Sequence, residues 1–389
     1  MATGGAFRGI RYGTARRLSA PRPVPDPGDA GQDGPGPAGR PGPAAPQPPS
    51  RLEHVMGPGS GLEQSEDCLS LNVWTPGGDG LPVLVWLHGG GFTSGSGGEA
   101  WYDGGLLARR GRMVVVTANY RLGALGYLCL PGGQANLGLL DQAMALRWVR
   151  RNIARFGGDP DRVTLAGQSA GALSALAMLR DAACDDLFQQ VILQSLPAGV
   201  PPYGVEQAEF IGDLFLEVLG TDVMAASTAS ILAAQGEVAR RTRRPGGITP
   251  PFQLVDDPRW AGAPRRVPML IGTTRDEMRA FFPGATEAET DRLFRHGSLE
   301  LAASMATAYA YRFDWSPAAG ALGACHCIEL PFVFGGLDAW RAAPMLAGAD
   351  PADLRRLVDR VQEAWTAFIH GGSPGWDRYG RRSEVHHFP

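Results

Sequence analysis

Residues 163–176, Val-Thr-Leu-Ala-Gly-Gln-Ser-Ala-Gly-Ala-Leu-Ser-Ala-Leu, constrain this chain more than any other stretch. The β-branched and apolar residues 163–165 suit a buried strand, and the Ala-, Leu- and Met-rich run 170–179 suits a buried helix. Between them, Gly167 and Gly171 bracket Ser169 in the pattern G-x-S-x-G, a sharp strand-to-helix turn that lifts a serine hydroxyl beyond the end of a parallel strand. A glycine-rich turn that binds nothing would carry the same letters. The rest of the constellation therefore has to be sought elsewhere.

Strands and helices alternate around this turn. Leu69, Leu71 and Val73 alternate with Ser70, Asn72 and Trp74 as in a half-buried strand, whereas 83–87 (Val-Leu-Val-Trp-Leu) is apolar throughout and reads as a strand covered on both faces. Further strands are predicted at 113–118, 191–193 and 267–271, an edge strand within 7–12, and helices at 141–156, 210–219, 226–241 and 351–370. The alternation predicts an α/β fold with a largely parallel central sheet and helices on both faces. All 389 residues are assigned to one domain. Pro and Gly make up more than half of 21–50, which reads as an extended or mobile loop outside the site. Residues 197–264, together with 284–320, are expected to form insertions above the sheet that line an entrance. The 351–370 helix is read as packing only.

Composition removes several functions. The formal charge of −3 offers no footprint for nucleic acid, and no apolar run is long enough to span a bilayer. All 36 basic residues are arginine, so a Schiff-base lysine, a P-loop lysine and a Ser-x-x-Lys dyad are impossible. The five cysteines, at 68, 129, 184, 325 and 327, are scattered and odd in number, which argues against a disulfide framework and a zinc site. Residues 1–7 lack a basic region followed by an apolar run, giving the expectation of a cytoplasmic chain, monomeric and without metal or cofactor.

A nucleophilic serine needs oxyanion donors, a base and an orienter for the base. His88-Gly89-Gly90-Gly91-Phe92, directly after the buried strand 83–87, can turn backbone N–H groups inward, joined by that of Ala170 after the serine. Of seven histidines, His326 stands in an apolar segment, Ala-Cys-His-Cys-Ile-Glu-Leu, that needs a reason to hold an imidazole; a satisfied core histidine is the alternative. Read as a strand, that segment would point Cys325 and Cys327 away from His326, so the three could not share one metal ion. The orienter is a carboxylate between serine and histidine in chain order, and both Asp276 and Glu277 follow a buried strand.

These blocks resemble the type B carboxylesterase family, the cholinesterase-like α/β-hydrolases, and in particular its bacterial para-nitrobenzyl-esterase-like branch. Glu66-Asp67-Cys68-Leu69-Ser70-Leu71-Asn72-Val73 is similar to the family's second signature, residues 88–92 to its oxyanion loop, and 167–171 to its nucleophile elbow. Residues 119–123 and 136–160 resemble further family blocks. The resemblance implies an α/β-hydrolase fold and hydrolysis of small-molecule carboxylic esters. It carries over Ser169 as nucleophile, Glu277 rather than Asp276 as acid, His326 as base and Gly90, Gly91 and Ala170 as oxyanion donors. Ser195 resembles a position that supports the acid from behind. Gln168 replaces the family's usual glutamate, and the short spacing from Glu277 to His326 implies a reduced lid. Two rival readings are a non-catalytic cholinesterase-like binding protein and a hydrolase using the same triad on carbamates, amides or lactones.

Overall fold

A computed structural model describes residues 2–25, 39–260, 262–318, 320–380 and 384–389. Its centre is a nine-stranded sheet. In chain order the strands are β1 (Gly5–Arg11), β2 (Ser70–Thr75), β3 (Leu81–Leu87), β4 (Val114–Ala118), β5 (Gly158–Gln168), β6 (Gln190–Gln194), β7 (Met269–Thr274), β8 (Ala308–Phe313) and β9 (His386–Phe388). They lie in the order β1-β2-β4-β3-β5-β6-β7-β8-β9. The pairs β1/β2 and β2/β4 are antiparallel, and every other neighbouring pair is parallel.

The continuous apolar run of β3 follows from burial on both faces. Val83, Val85 and Leu87 enter one core, while Leu84 and Trp86 enter the other. Helices α1 (Leu137–Asn152) and α2 (Ala170–Arg180) cover the first face with Leu146, Val149, Ala172 and Ala175. The second face receives Leu357, Val361 and Trp365 of helix α3 (Pro351–Ile369), which starts with Asp350 capping the Ala352 N–H and Pro351 in its first turn. This is the packing role its apolar stripe predicts.

Three expectations need correction. The stretch 284–320, expected as lid insertion, supplies β8, a full member of the sheet that pairs in register with β7 from Ala308–Met269 to Phe313–Thr274. Residues 39–50 of the Pro- and Gly-rich loop are fixed by contacts distant in sequence: Gly95 N–H donates to Gln47 Oε1 at 2.6 Å, Gln47 Nε2 donates to the Gly95 carbonyl at 2.9 Å, and Ala44 N–H donates to the Glu63 carbonyl at 2.8 Å. Pro48, Pro49 and Ser50 line the main cavity, so this segment does belong to the site; residues 26–38 lie outside the described residues. Finally, His326 sits in a turn leading into the short helix Leu330–Phe334, not in a strand. Cys327 takes a φ of 77° there, which no strand residue does.

The parallel strands β3, β5 and β7 end at one edge of the sheet, where a ligand crevice is expected in such folds. Their next residues are His88-Gly89-Gly90-Gly91, Ser169, and the segment carrying Asp276 and Glu277.

Candidate active site

Ser169 caps α2 with φ 57° and ψ −120°, a combination that an L-residue holds only when its surroundings enforce it. The enforcement is visible. Its N–H donates to the Gln194 carbonyl on β6 at 2.9 Å, and its own carbonyl accepts from the N–H groups of Ala172 and Leu173 at 2.9 and 3.1 Å. Gly171 must be glycine because a Cβ there would stand 2.1 Å from the Leu87 carbonyl oxygen. Ser169 is only partly buried and opens onto a cavity of about 410 Å³, which Gly89, Gly90, Gly91, Ala170 and His326 also line.

His326 and Glu277 are both fully buried, and Nδ1 of the imidazole lies 2.5 Å from Glu277 Oε2. The other carboxylate oxygen accepts the Thr274 N–H at 2.8 Å, which fixes the acid at the end of β7. Burial pushes the imidazole pKa down and the neighbouring Cys327 and Glu277 push it up, with a net upward shift. Phe281 and Phe294 pack on the ring at 5.3 Å each. Asp276 faces elsewhere. Its carboxylate accepts the Ala324 N–H at 3.0 Å and pairs with Arg275 at 2.9 Å.

The glycine loop is pressed against the elbow, since a Cβ on Gly89 would stand 3.3 Å from Ser169 Cβ. The Gly90 carbonyl accepts the N–H groups of Thr93 and Ser94, both at 3.1 Å. In a trans peptide that turns the Gly91 N–H the opposite way. Ala170 opens α2, where N–H groups have no intrahelical acceptor. Beneath the loop, His88 is a structural residue: it stacks on Tyr120 at 4.3 Å, contacts the Gly89 carbonyl through Nδ1 at 2.7 Å, and burial lowers its pKa to about 4.

Two polar residues near the histidine carry no role in the sequence reading beyond what the resemblance gives. Gln168 Nε2 lies 3.1 Å from His326 Nε2 and 3.4 Å from Cys327 Sγ. Glu329, absent from the sequence reading, is a second buried carboxylate: Oε1 accepts from Gln194 Nε2 at 3.2 Å and from the Ser195 hydroxyl at 3.4 Å, while Oε2 has no hydrogen-bond partner. The Ser195 hydroxyl bond thus runs to Glu329, not to Glu277. Burial, reinforced by the charge of Glu277, raises the Glu329 pKa to about 7. A signal was available, because Glu329 shares the apolar segment that made His326 conspicuous.

Among the described residues, no group of three or more His, Cys, Asp or Glu side chains could hold a metal ion, and no helix is long and apolar enough to cross a membrane. Residues 3–231 match the family model described as the carboxylesterase family. The chain belongs to that family. This carboxylesterase is 42% identical to a probable N-octanoylanthranilate hydrolase of Rhodococcus erythropolis, over 98% of this chain and 93% of that protein. It is 37% identical to the para-nitrobenzyl esterase of Bacillus subtilis, over 80% of this chain and 75% of the relative. A phenmedipham hydrolase of Pseudarthrobacter oxydans is 35% identical, over 96% and 82%. Among solved structures, a thermophilic PNB esterase superposes with a TM-score of 0.83 at 32% identity, covering 96% of this chain and 88% of that one. The fold is that of the para-nitrobenzyl esterases, and the protein is a serine hydrolase of carboxylic esters.

Proposed function

We propose that Ser169, His326 and Glu277 form the catalytic triad, with the N–H groups of Gly90, Gly91 and Ala170 as the oxyanion hole. The observation that carries this reading is the convergence of the strained Ser169, the His326–Glu277 pair at 2.5 Å and the glycine loop on one cavity. Ser169 Oγ attacks the ester carbonyl carbon while His326 Nε2 takes its proton, and Glu277 keeps the other ring nitrogen protonated and steadies the imidazolium. The oxyanion is held by the backbone donors until the C–O bond breaks. His326 then protonates the leaving alcohol, and water, deprotonated by the same imidazole, attacks the acyl-enzyme and releases the acid. Ser195 acts on this machinery from a distance, through its hydrogen bond to the buried carboxylate of Glu329.

The same chemistry extends to bonds with poorer leaving groups. The relative named for an N-acyl anthranilate favours amides as a second substrate class for this chain. Matched panels of butyryl ester, amide, carbamate and lactone substrates, each run with wild type and Ser169→Ala, test the reading. Ester turnover lost in the variant supports it, and ester turnover that survives removal of the hydroxyl contradicts it. We also place the protein in the cytoplasm as a monomer; all five cysteines are unpaired and buried, which suits a reducing compartment.

A further inference from the structure

Arg51 is the cationic side chain on the wall of the catalytic cavity, and its donors are poorly used. A guanidinium carries five N–H donors. Nη1 and Nη2 each reach one acceptor, the Ile248 carbonyl, at 3.3 Å, and Cζ lies 5.9 Å from the centre of the Phe281 ring. Among the described residues no carboxylate stands within ion-pair distance of it. The two acidic groups on the same wall are engaged or exposed: Glu99 Oε2 accepts the Ser60 N–H at 2.7 Å, and Glu53 is exposed. Arg51 itself is exposed to the cavity, and desolvation by the surrounding walls lowers its pKa. Accessibility and desolvation coexist because the side chain faces a pocket. Such a guanidinium gains most from an anion that arrives with the substrate.

Its position says where on the substrate that anion lies. Nη2 stands 3.1 Å from the place a Cβ on Gly91 would occupy, so the free donors lie beside the oxyanion loop, next to where the scissile carbonyl binds. Leu52, Met56 and Phe281 make the neighbouring wall apolar. We propose that Arg51 selects substrates bearing a carboxylate next to the scissile bond, as in acyl derivatives of an ortho-hydroxy aromatic acid. The inference rests on ester hydrolysis at Ser169 and names the substrate class for that site.

The test compares 2-(butyryloxy)benzoate with its uncharged isostere 2-(butyryloxy)benzamide, each corrected for spontaneous hydrolysis and read as the ratio of their kcat/KM values. A bidentate charged hydrogen bond predicts that R51Q lowers this ratio about tenfold or more relative to wild type, with R51K intermediate because an ammonium keeps the charge without the fork. Comparing variants on the same pair of esters cancels the different leaving-group acidities of the two. A ratio is insensitive to the fraction of folded enzyme, so a partly misfolded variant does not obscure it. An unchanged ratio in R51Q overturns the proposal, and would mean that Arg51 serves the oxyanion of every substrate alike. Turnover of 4-nitrophenyl butyrate separates the two levels: its presence with a flat ratio removes only the role of Arg51, and its absence removes the reading beneath it.

Discussion

The two ring nitrogens of His326 are held by different kinds of group: Nδ1 faces the Glu277 carboxylate at 2.5 Å and Nε2 faces the Gln168 amide at 3.1 Å. With the proton on Nδ1, the amide N–H of Gln168 donates to the lone pair that takes the Ser169 proton in the proposed mechanism. An amide adds no charge, so Glu277 is the carboxylate in hydrogen-bond contact with the imidazole.

Replacing Gln168 by Glu puts a second carboxylate on the other side of the ring. It favours imidazolium, raises the His326 pKa and moves the acid limb of kcat/KM to higher pH, by about one unit or more. The upward net shift of His326 also predicts a wild-type limb above the ordinary histidine range. A pH profile on 4-nitrophenyl butyrate checks both, and superimposable limbs in wild type and Gln168→Glu would contradict the placement of His326 as base.

The choice between the adjacent acids has a kinetic consequence. Glu277→Gln removes the charge at Nδ1 and permits the wrong tautomer, lowering kcat by about 10³-fold or more. Asp276→Asn touches the Ala324 N–H and Arg275 instead, and lowers kcat by less than about tenfold. Steady-state kinetics of the two variants decide, and the reverse order would move the orienter by one residue.

Glu329 couples stability to pH. Its folded pKa of about 7 lies above its unfolded value, so the folded state binds the extra proton between those limits. Its contribution is fully present below the unfolded pKa and is lost as pH rises through about 7. Glu329→Gln keeps an acceptor for Gln194 and Ser195 without the charge. Its stability relative to wild type should therefore rise between pH 5 and pH 8.5, by roughly 3 kcal/mol at most. Urea unfolding at several pH values measures this, and a difference that stays flat across the range would show that Glu329 is ionised throughout.

A buried ion pair ties the loop after β4 to α1: Arg121 donates to Asp141 from Nε at 2.8 Å and from Nη2 at 2.7 Å. Both side chains are buried, so Arg121→Met strands a carboxylate and costs about 3–5 kcal/mol of stability. Denaturant midpoints provide the check. A loss below about 1 kcal/mol would mean that Asp141 is neutral in the fold.

The strand-to-helix turn at Ser169, the glycine loop after β3 and most of the sheet were legible because local composition and tertiary placement agree there: β-branched runs are buried on both faces, and glycines stand where backbones nearly touch. The discrepancies have one cause. Alternating Ala and Tyr in β8 is small and aromatic, and position after a poorly patterned stretch disguised it as lid. Residues 39–50 are ordered through Gln47 and Ala44, whose partners are distant in sequence, so Pro and Gly content misled. Cys325-His326-Cys327 alternates like a strand, and only the left-handed Cys327 makes it a turn. Arg51 carries no local signal, since its meaning lies in the wall it joins.

The most direct test of the account is to trap the acyl-enzyme. Rapid mixing with 4-nitrophenyl butyrate, followed by acid quench and peptide mass spectrometry, should show one butyryl group on Ser169, together with a burst of 4-nitrophenol matching the active-enzyme concentration wherever deacylation is the slower step. Ser169→Ala should show neither adduct nor turnover. A butyryl group on Cys327, the thiol beside His326 that lines the same cavity, or catalytic turnover that persists without the Ser169 hydroxyl, would contradict it.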